Sequence, residues 1–168
     1  MINYTFEYGY ILTFAGVIIS AAFGMWQYRK TRFSDSVIKS RKEYLKAFRE
    51  ESARFCISTE RIINGRELED VRTQLDSAYK LKLMLNPFDY VDWWDGEIIK
   101  IIDELVLTPT TNRLQQLLAL LQASCIVEWK GITIEGISGI QGKRSKEKLR
   151  NEVYDKYVVY CKNRNIYG

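Results

Sequence analysis

Residues 8–28 read YGYILTFAGVIISAAFGMWQY, with no charged side chain in the run. Twenty-one residues in a helix rise about 31 Å, enough to cross a hydrocarbon core of ~30 Å. Glu7 precedes the run, and Arg29, Lys30 and Arg32 follow it. Tyr8 and Tyr10 at one end, with Trp26 and Tyr28 at the other, are amphipathic rings of the kind that settle at membrane interfaces. A secretory signal would carry its basic residues before the apolar run and a small-x-small cleavage site after it. Here the basic cluster comes after, so the expectation is an uncleaved transmembrane helix over 8–28. Its N-terminus would lie outside, its C-terminal body in the cytoplasm, and Arg29, Lys30 and Arg32 against the lipid surface.

Within that run Gly9, Thr13, Gly16, Ser20 and Gly24 recur at spacings of 4, 3, 4 and 4, which places them on one helix face. Gly16, Ser20 and Gly24 form a double small-xxx-small motif that lets two helix backbones approach closely, so the span is expected to self-associate. Thr13 and Ser20 are the only polar side chains deep in the span, which argues against a wide, wet pore.

The rest of the 168-residue chain is long enough for a packed core, and its two prolines, Pro87 and Pro109, leave long stretches for helices. Ile38, Leu45, Phe48, Phe55 and Ile62, with the smaller Ser52 and Thr59 in register, predict a first helix ending at Asn64-Gly65. This helix either continues the membrane helix or starts afresh at Ser34-Asp35-Ser36. A second helix is expected from about Glu67 to Leu85 on a stripe of Leu68, Val71, Leu75, Ala78 and Leu85. A third is expected over Asp92 to Leu107 with Ile98, Ile101, Ile102 and Leu105 inward. A fourth starts at Thr110 or Thr111 and carries Leu114, Leu117, Leu118, Leu121, Cys125 and, toward its end, Trp129. Short connections make neighbours antiparallel. The glycine-rich GITIEGISGIQG, residues 131–142, is expected to fray or bend the fourth helix and then act as a flexible joint before a basic helix from Ser145 to about Lys162. The expected fold is therefore all-α: a transmembrane helix (8–28), a cytosolic four-helix-type bundle (29–137), and a glycine joint with a basic C-terminal helix (138–168).

There is no histidine, which removes the commonest general base and metal ligand and every Ser-His-Asp or Cys-His site. Cys56, Cys125 and Cys161 are odd in number and far apart, and read as reduced, small core residues. Asp89, Asp92 and Asp95 are spaced by three, unlike the alternating acids of a calcium loop. Gly136, Gly139 and Gly142 before Lys143 miss the phosphate-loop spacing. No catalytic residue, metal or cofactor is expected.

Residues 142–168 hold eight basic and three acidic side chains. Lys143, Arg144, Lys148 and Arg150 are interleaved with Tyr157 and Tyr160, and this segment is expected to bind an anionic partner, whether a nucleotide, a single-stranded nucleic acid or an acidic protein face. The same residues also fit a solvated amphipathic helix whose tyrosines pack on the bundle.

Leu83-Met84-Leu85-Asn86-Pro87, closing one helix, and the run from Leu117 to Glu128-Trp129-Lys130 resemble a loose group of bacterial inner-membrane proteins that pair an N-terminal span with a cytosolic helical bundle. The likeness covers most of residues 8–137 and departs at Gly131–Gly142. Proteins of this design are similar to membrane effectors of antiphage defence systems, ion channels among them. The resemblance implies a homo-oligomeric effector controlled through its cytosolic domain. A membrane-anchored adaptor that docks a cytosolic protein, without pore activity, fits the same architecture.

Overall fold

The structure is a computed structural model that describes residues 4–65, 68–86, 93–138, 142–164 and 166. Within them the chain is all-helical: α1 (Tyr4–Asn64), α2 (Leu68–Met84), α3 (Trp93–Leu107), α4 (Thr111–Ser138) and α5 (Lys143–Asn163).

The open question at Ser34-Asp35-Ser36 resolves in favour of continuity. α1 is a single helix of 61 residues, about 90 Å long, because no proline interrupts it and its glycines are isolated. It ends where predicted: the Gly65 N–H donates to the Arg61 carbonyl at 2.8 Å and closes the last turn. The C-terminal half of α1 packs against α2 and α4, and α3 bridges α2 and α4, so four helices close a ring around one core. Leu45, Phe48, Phe55 and Ile62 of α1 point into it, together with Leu81, Ile98, Ile101, Ile102, Leu105, Leu117 and Leu120. α5 lies on α4 and adds Val153, Tyr157 and Cys161 to the same core. Tyr154 of α5 also meets Trp94 of α3 with ring centroids 5.7 Å apart.

Two expectations about the helices are corrected. The buried face of α2 is Asp70, Gln74, Ser77, Ala78 and Leu81, whereas Leu68, placed on the inward stripe from the sequence, is 88% exposed. The inward face is largely polar, and Gln74 and Asp70 on it have partners on other elements. Gln74 Nε2 donates to Thr59 Oγ1 at 3.0 Å and to the Leu105 carbonyl at 3.3 Å, tying α1, α2 and α3 together. Thr59 Oγ1 in turn donates to the Phe55 carbonyl. Asp70 sits 3.5 Å from Arg61.

The second correction concerns residues 131–138, where the helix was expected to fray. α4 runs on to Ser138, because tertiary contact outweighs the low helix propensity of glycine. Gly131 and Ile132 are buried, and a Cβ at Gly136 would make ordinary contact with Ile38 Cδ1 of α1 at 3.9 Å. The expected joint at 139–141 lies outside the described residues. α5 begins at Lys143, two residues before the predicted Ser145, with the Gly142 carbonyl accepting from the Ser145 and Lys146 N–H groups.

Candidate functional site

Every residue from Leu12 to Tyr28 is exposed, on a helix whose C-terminal half is deep in the bundle. Leu12, Phe14, Val17, Ile18, Ile19, Phe23, Met25 and Trp26 each leave more than half their surface open. Burying such side chains is worth about 1.5–3 kcal/mol apiece, so this sleeve withholds on the order of 10–20 kcal/mol of apolar transfer energy from water-excluding contact. An isolated apolar residue on a surface needs no explanation, but a contiguous sleeve of them does.

The small residues of this sleeve face open space. Nothing lies within 4 Å of a Cβ built on Gly16 or Gly24. Thr13 and Ser20 are exposed on the same helix. Gly9 lies in α1, outside the residues whose side-chain surroundings are described, as do the side chains of Arg29 and Lys30. At the basic end, Arg32 lies over the Tyr28 ring at 5.2 Å, and its Nε donates to the Tyr28 hydroxyl at 2.9 Å. The Thr31 hydroxyl donates to the Gln27 carbonyl. These contacts run along the helix and keep it regular across the boundary between apolar sleeve and charged body.

Where α1 enters the bundle it is clamped by charge. Arg41 donates from Nη2 to Glu128 Oε2 at 2.7 Å and from Nη1 to Glu135 Oε2, so one guanidinium holds two carboxylates seven residues apart on α4. Lys146 of α5 reaches the other Glu135 oxygen at 3.3 Å. Burial works against the charge on Arg41, but the two carboxylates outweigh it and raise its pKa above the usual arginine value. Glu135 is 3% exposed, so the clamp joins α1, α4 and α5 through a carboxylate that has no solvent to fall back on.

The basic C-terminal segment is less available than its sequence suggests. Lys143, Arg144 and Lys148 are exposed, and Arg150 is half-buried and engaged. Lys146 is committed to Glu135, and Lys156 to Glu152 at 2.8 Å. Lys156 first, and then Lys130, hold the Glu152 carboxyl below its usual pKa. Tyr157 was expected to offer its ring to a ligand, but it is 6% exposed and belongs to the core, its ring tilted against that of Tyr154 with centroids 5.8 Å apart. Its neighbour Tyr160 does face solvent, with Arg164 over the ring at 5.5 Å. The aromatic-basic pattern thus divides between a core residue and a surface pair.

The sequence reading missed a trough between α1 and α4. Small residues make it: Ser52, Ala53 and Cys56 on α1 and Cys125 on α4, with Leu118, Leu121, Gln122 and Ile126 as walls and Arg49 at one end. Its volume is about 400 Å³. The signal was present in the sequence as Ser52 standing, with Thr59, in a stripe whose other members are large and apolar. Beside the trough, Leu118, Ile126 and Trp129 of α4 expose about half of their surfaces. Among the described residues no cluster of Cys, Asp and Glu could hold a metal ion, and all three cysteines are free thiols.

No known protein family matches this sequence, no curated protein matches it, and no solved structure matches its fold.

Proposed function

We propose that the chain is a single-pass membrane effector: residues 8–28 span a bacterial inner membrane and self-associate, and the helical bundle on the cytoplasmic side controls that association. The observation that carries this reading is the uninterrupted exposure of Leu12–Tyr28 on the helix whose later turns put Leu45, Phe48, Phe55 and Ile62 into the core. An apolar sleeve of this kind calls for a non-aqueous surrounding. The open space beside Gly16 and Gly24 suits close approach of a second helix. The unbroken α1 supports control from the bundle, because a movement of α1 against α4 at the Arg41 clamp passes along a rigid helix to the span. Antiphage defence is the biological setting that the architectural likeness suggests. With Thr13 and Ser20 as its deep polar groups, such an effector would disrupt the membrane by assembly more readily than by lining a wide aqueous pore.

The exposed Leu118, Ile126 and Trp129 favour a second reading, an anchored adaptor that presents α4 to a cytosolic protein. Crosslinking in membranes separates the two. Gly16→Ile and Gly24→Ile place bulk where the backbones should meet, and crosslinked oligomers should fall at least severalfold while the bundle stays folded. Unchanged crosslinking in both variants discards the effector reading and leaves the adaptor.

A further inference from the structure

The trough between α1 and α4 has the composition of a ligand site. Its volume of about 400 Å³ lies within the ~300–1,000 Å³ usual for small-molecule sites. It adjoins a second hollow of about 340 Å³ that shares Cys56 and Leu118 with it and extends along Ile57, Glu60 and Asn64 toward Thr111. The occupant's chemistry follows from the lining. Ala53, Leu118, Leu121 and Ile126 are apolar, and burial keeps both thiols neutral, with Cys56 raised to about 11. Arg49 is the one charged group that lines the trough; its guanidinium meets the Cys125 thiol, and no carboxylate pairs with it among the described residues. Ser52 adds a buried hydroxyl that has no hydrogen-bond partner there.

One uncompensated cation at the end of an apolar channel matches a molecule with one anionic head and a hydrocarbon tail. A nucleotide would present several polar edges, for which the lining offers only Gln122 and Ser52. A whole partner helix, about 10–12 Å across, fills a volume of this size in roughly a single turn.

We propose that this trough binds a single-chain anionic amphiphile, a fatty carboxylate or its equivalent, with the head on Arg49 and the tail running over Cys56 toward Leu118. Twenty-one residues separate Tyr28 from Arg49, about 31 Å of helix rise, so the amphiphile arrives from the aqueous side and not as a bilayer lipid that keeps its tail in the membrane. The proposal rests on the bundle alone and stands apart from self-association of the span.

The test uses the full-length protein in phosphatidylcholine nanodiscs and a palmitate analogue that carries a photoactivatable diazirine on its tail, with labelled peptides mapped by mass spectrometry. Label is expected within residues 49–57 and 118–126. Losing a charge-assisted hydrogen bond costs about tenfold or more in affinity, so Arg49→Gln, and separately the uncharged alcohol analogue, should each cut the label by at least that factor. Arg49 is exposed and makes no ion pair, so the variant keeps the melting temperature of the parent. Saturating palmitate should also slow alkylation of Cys56 and Cys125, measured residue by residue at high pH, and leave the fully buried Cys161 unchanged. Label confined to residues 12–28, which is what bilayer lipid alone would give, or equal label with Arg49→Gln or with the alcohol, overturns the proposal.

Discussion

Leu12–Tyr28 and Thr111–Ile137 are long apolar helical stretches among the described residues, and they differ in what covers them. The second runs for 27 residues and carries Arg113, Glu128, Lys130 and Glu135, whereas residues 8–28 carry no charge. Of the second stretch 39% is buried, and it packs on α1, α3 and α5, with Leu117, Leu120, Leu121 and Ile132 in the core. The first stretch has no neighbour along its described length. The difference teaches that an apolar helix is explained only by what covers it. One face of α4 is covered by its own chain, whereas in the N-terminal sleeve Leu, Ile, Phe and Trp are exposed together with the stripe of small residues. Polar patterning shows the same contrast. α4 keeps Gln116 and Glu135 inside because Arg113 and Arg41 meet them, as a folded core requires, while the sleeve carries no charge to be met.

The sharpest way to break this comparison is to cut the same kind of side chain from each stretch. Leu120→Ala should lower the stability of the bundle by about 2–5 kcal/mol, because it leaves a cavity in a fully buried site. Ile18→Ala should leave the bundle's thermal transition where it is. Chemical denaturation of both variants reads the difference directly, and equal losses would mean that the sleeve packs on the bundle.

Tyr157→Ala extends the comparison to α5 and should cost about 3 kcal/mol, as loss of a buried aromatic does. Tyr160→Ala, two-fifths exposed, should stay within about 1 kcal/mol. Similar small losses at both positions would return Tyr157 to the surface and to the ligand-binding role that its spacing suggested.

At the junction between exposed and buried halves of α1, Arg41→Ala leaves the buried Glu135 with Lys146 as its remaining ion-pair partner and should destabilise by about 3 kcal/mol. Removing both charges with Arg41→Met and Glu135→Leu should restore much of the loss, which a double-mutant cycle would quantify. A single-mutant loss below about 0.5 kcal/mol would show that the clamp does not hold α1 to α4.

The smallest expected effect is a gain. Gly136 is exposed, helical and has room for a Cβ at 3.9 Å from Ile38 Cδ1, so Gly136→Ala should raise stability by about 0.5–1 kcal/mol. A loss would mean that α4 bends there after all.

These outcomes also mark what was legible beforehand. The inward stripe of α3, Ile98, Ile101, Ile102 and Leu105, was readable because its buried face is purely apolar. α2 was misread by about one position because its buried face is Asp70, Gln74 and Ser77, and their partners sit on other helices that periodicity cannot see. The run of α4 through Gly131 was hidden for a related reason. Local propensity argues for a break, and the contacts that override it come from Arg41 and Ile38, more than ninety residues away. The trough was written in the sequence as a run of small residues, but a gap in one stripe becomes a cavity only when a second helix fails to fill it. Cys125 on α4 settles that, and nothing in the local pattern pairs it with Ser52.

The central claim, that residues 8–28 hold the protein in a membrane while α4 does not, is tested most directly by alkaline extraction of membranes from cells producing either the full chain or a chain lacking residues 1–33. The full chain should stay in the membrane pellet. The shortened chain should appear in the supernatant with the helical content and cooperative melting of a folded bundle. A shortened chain that remains in the pellet after extraction would make α4 the anchor and contradict the account.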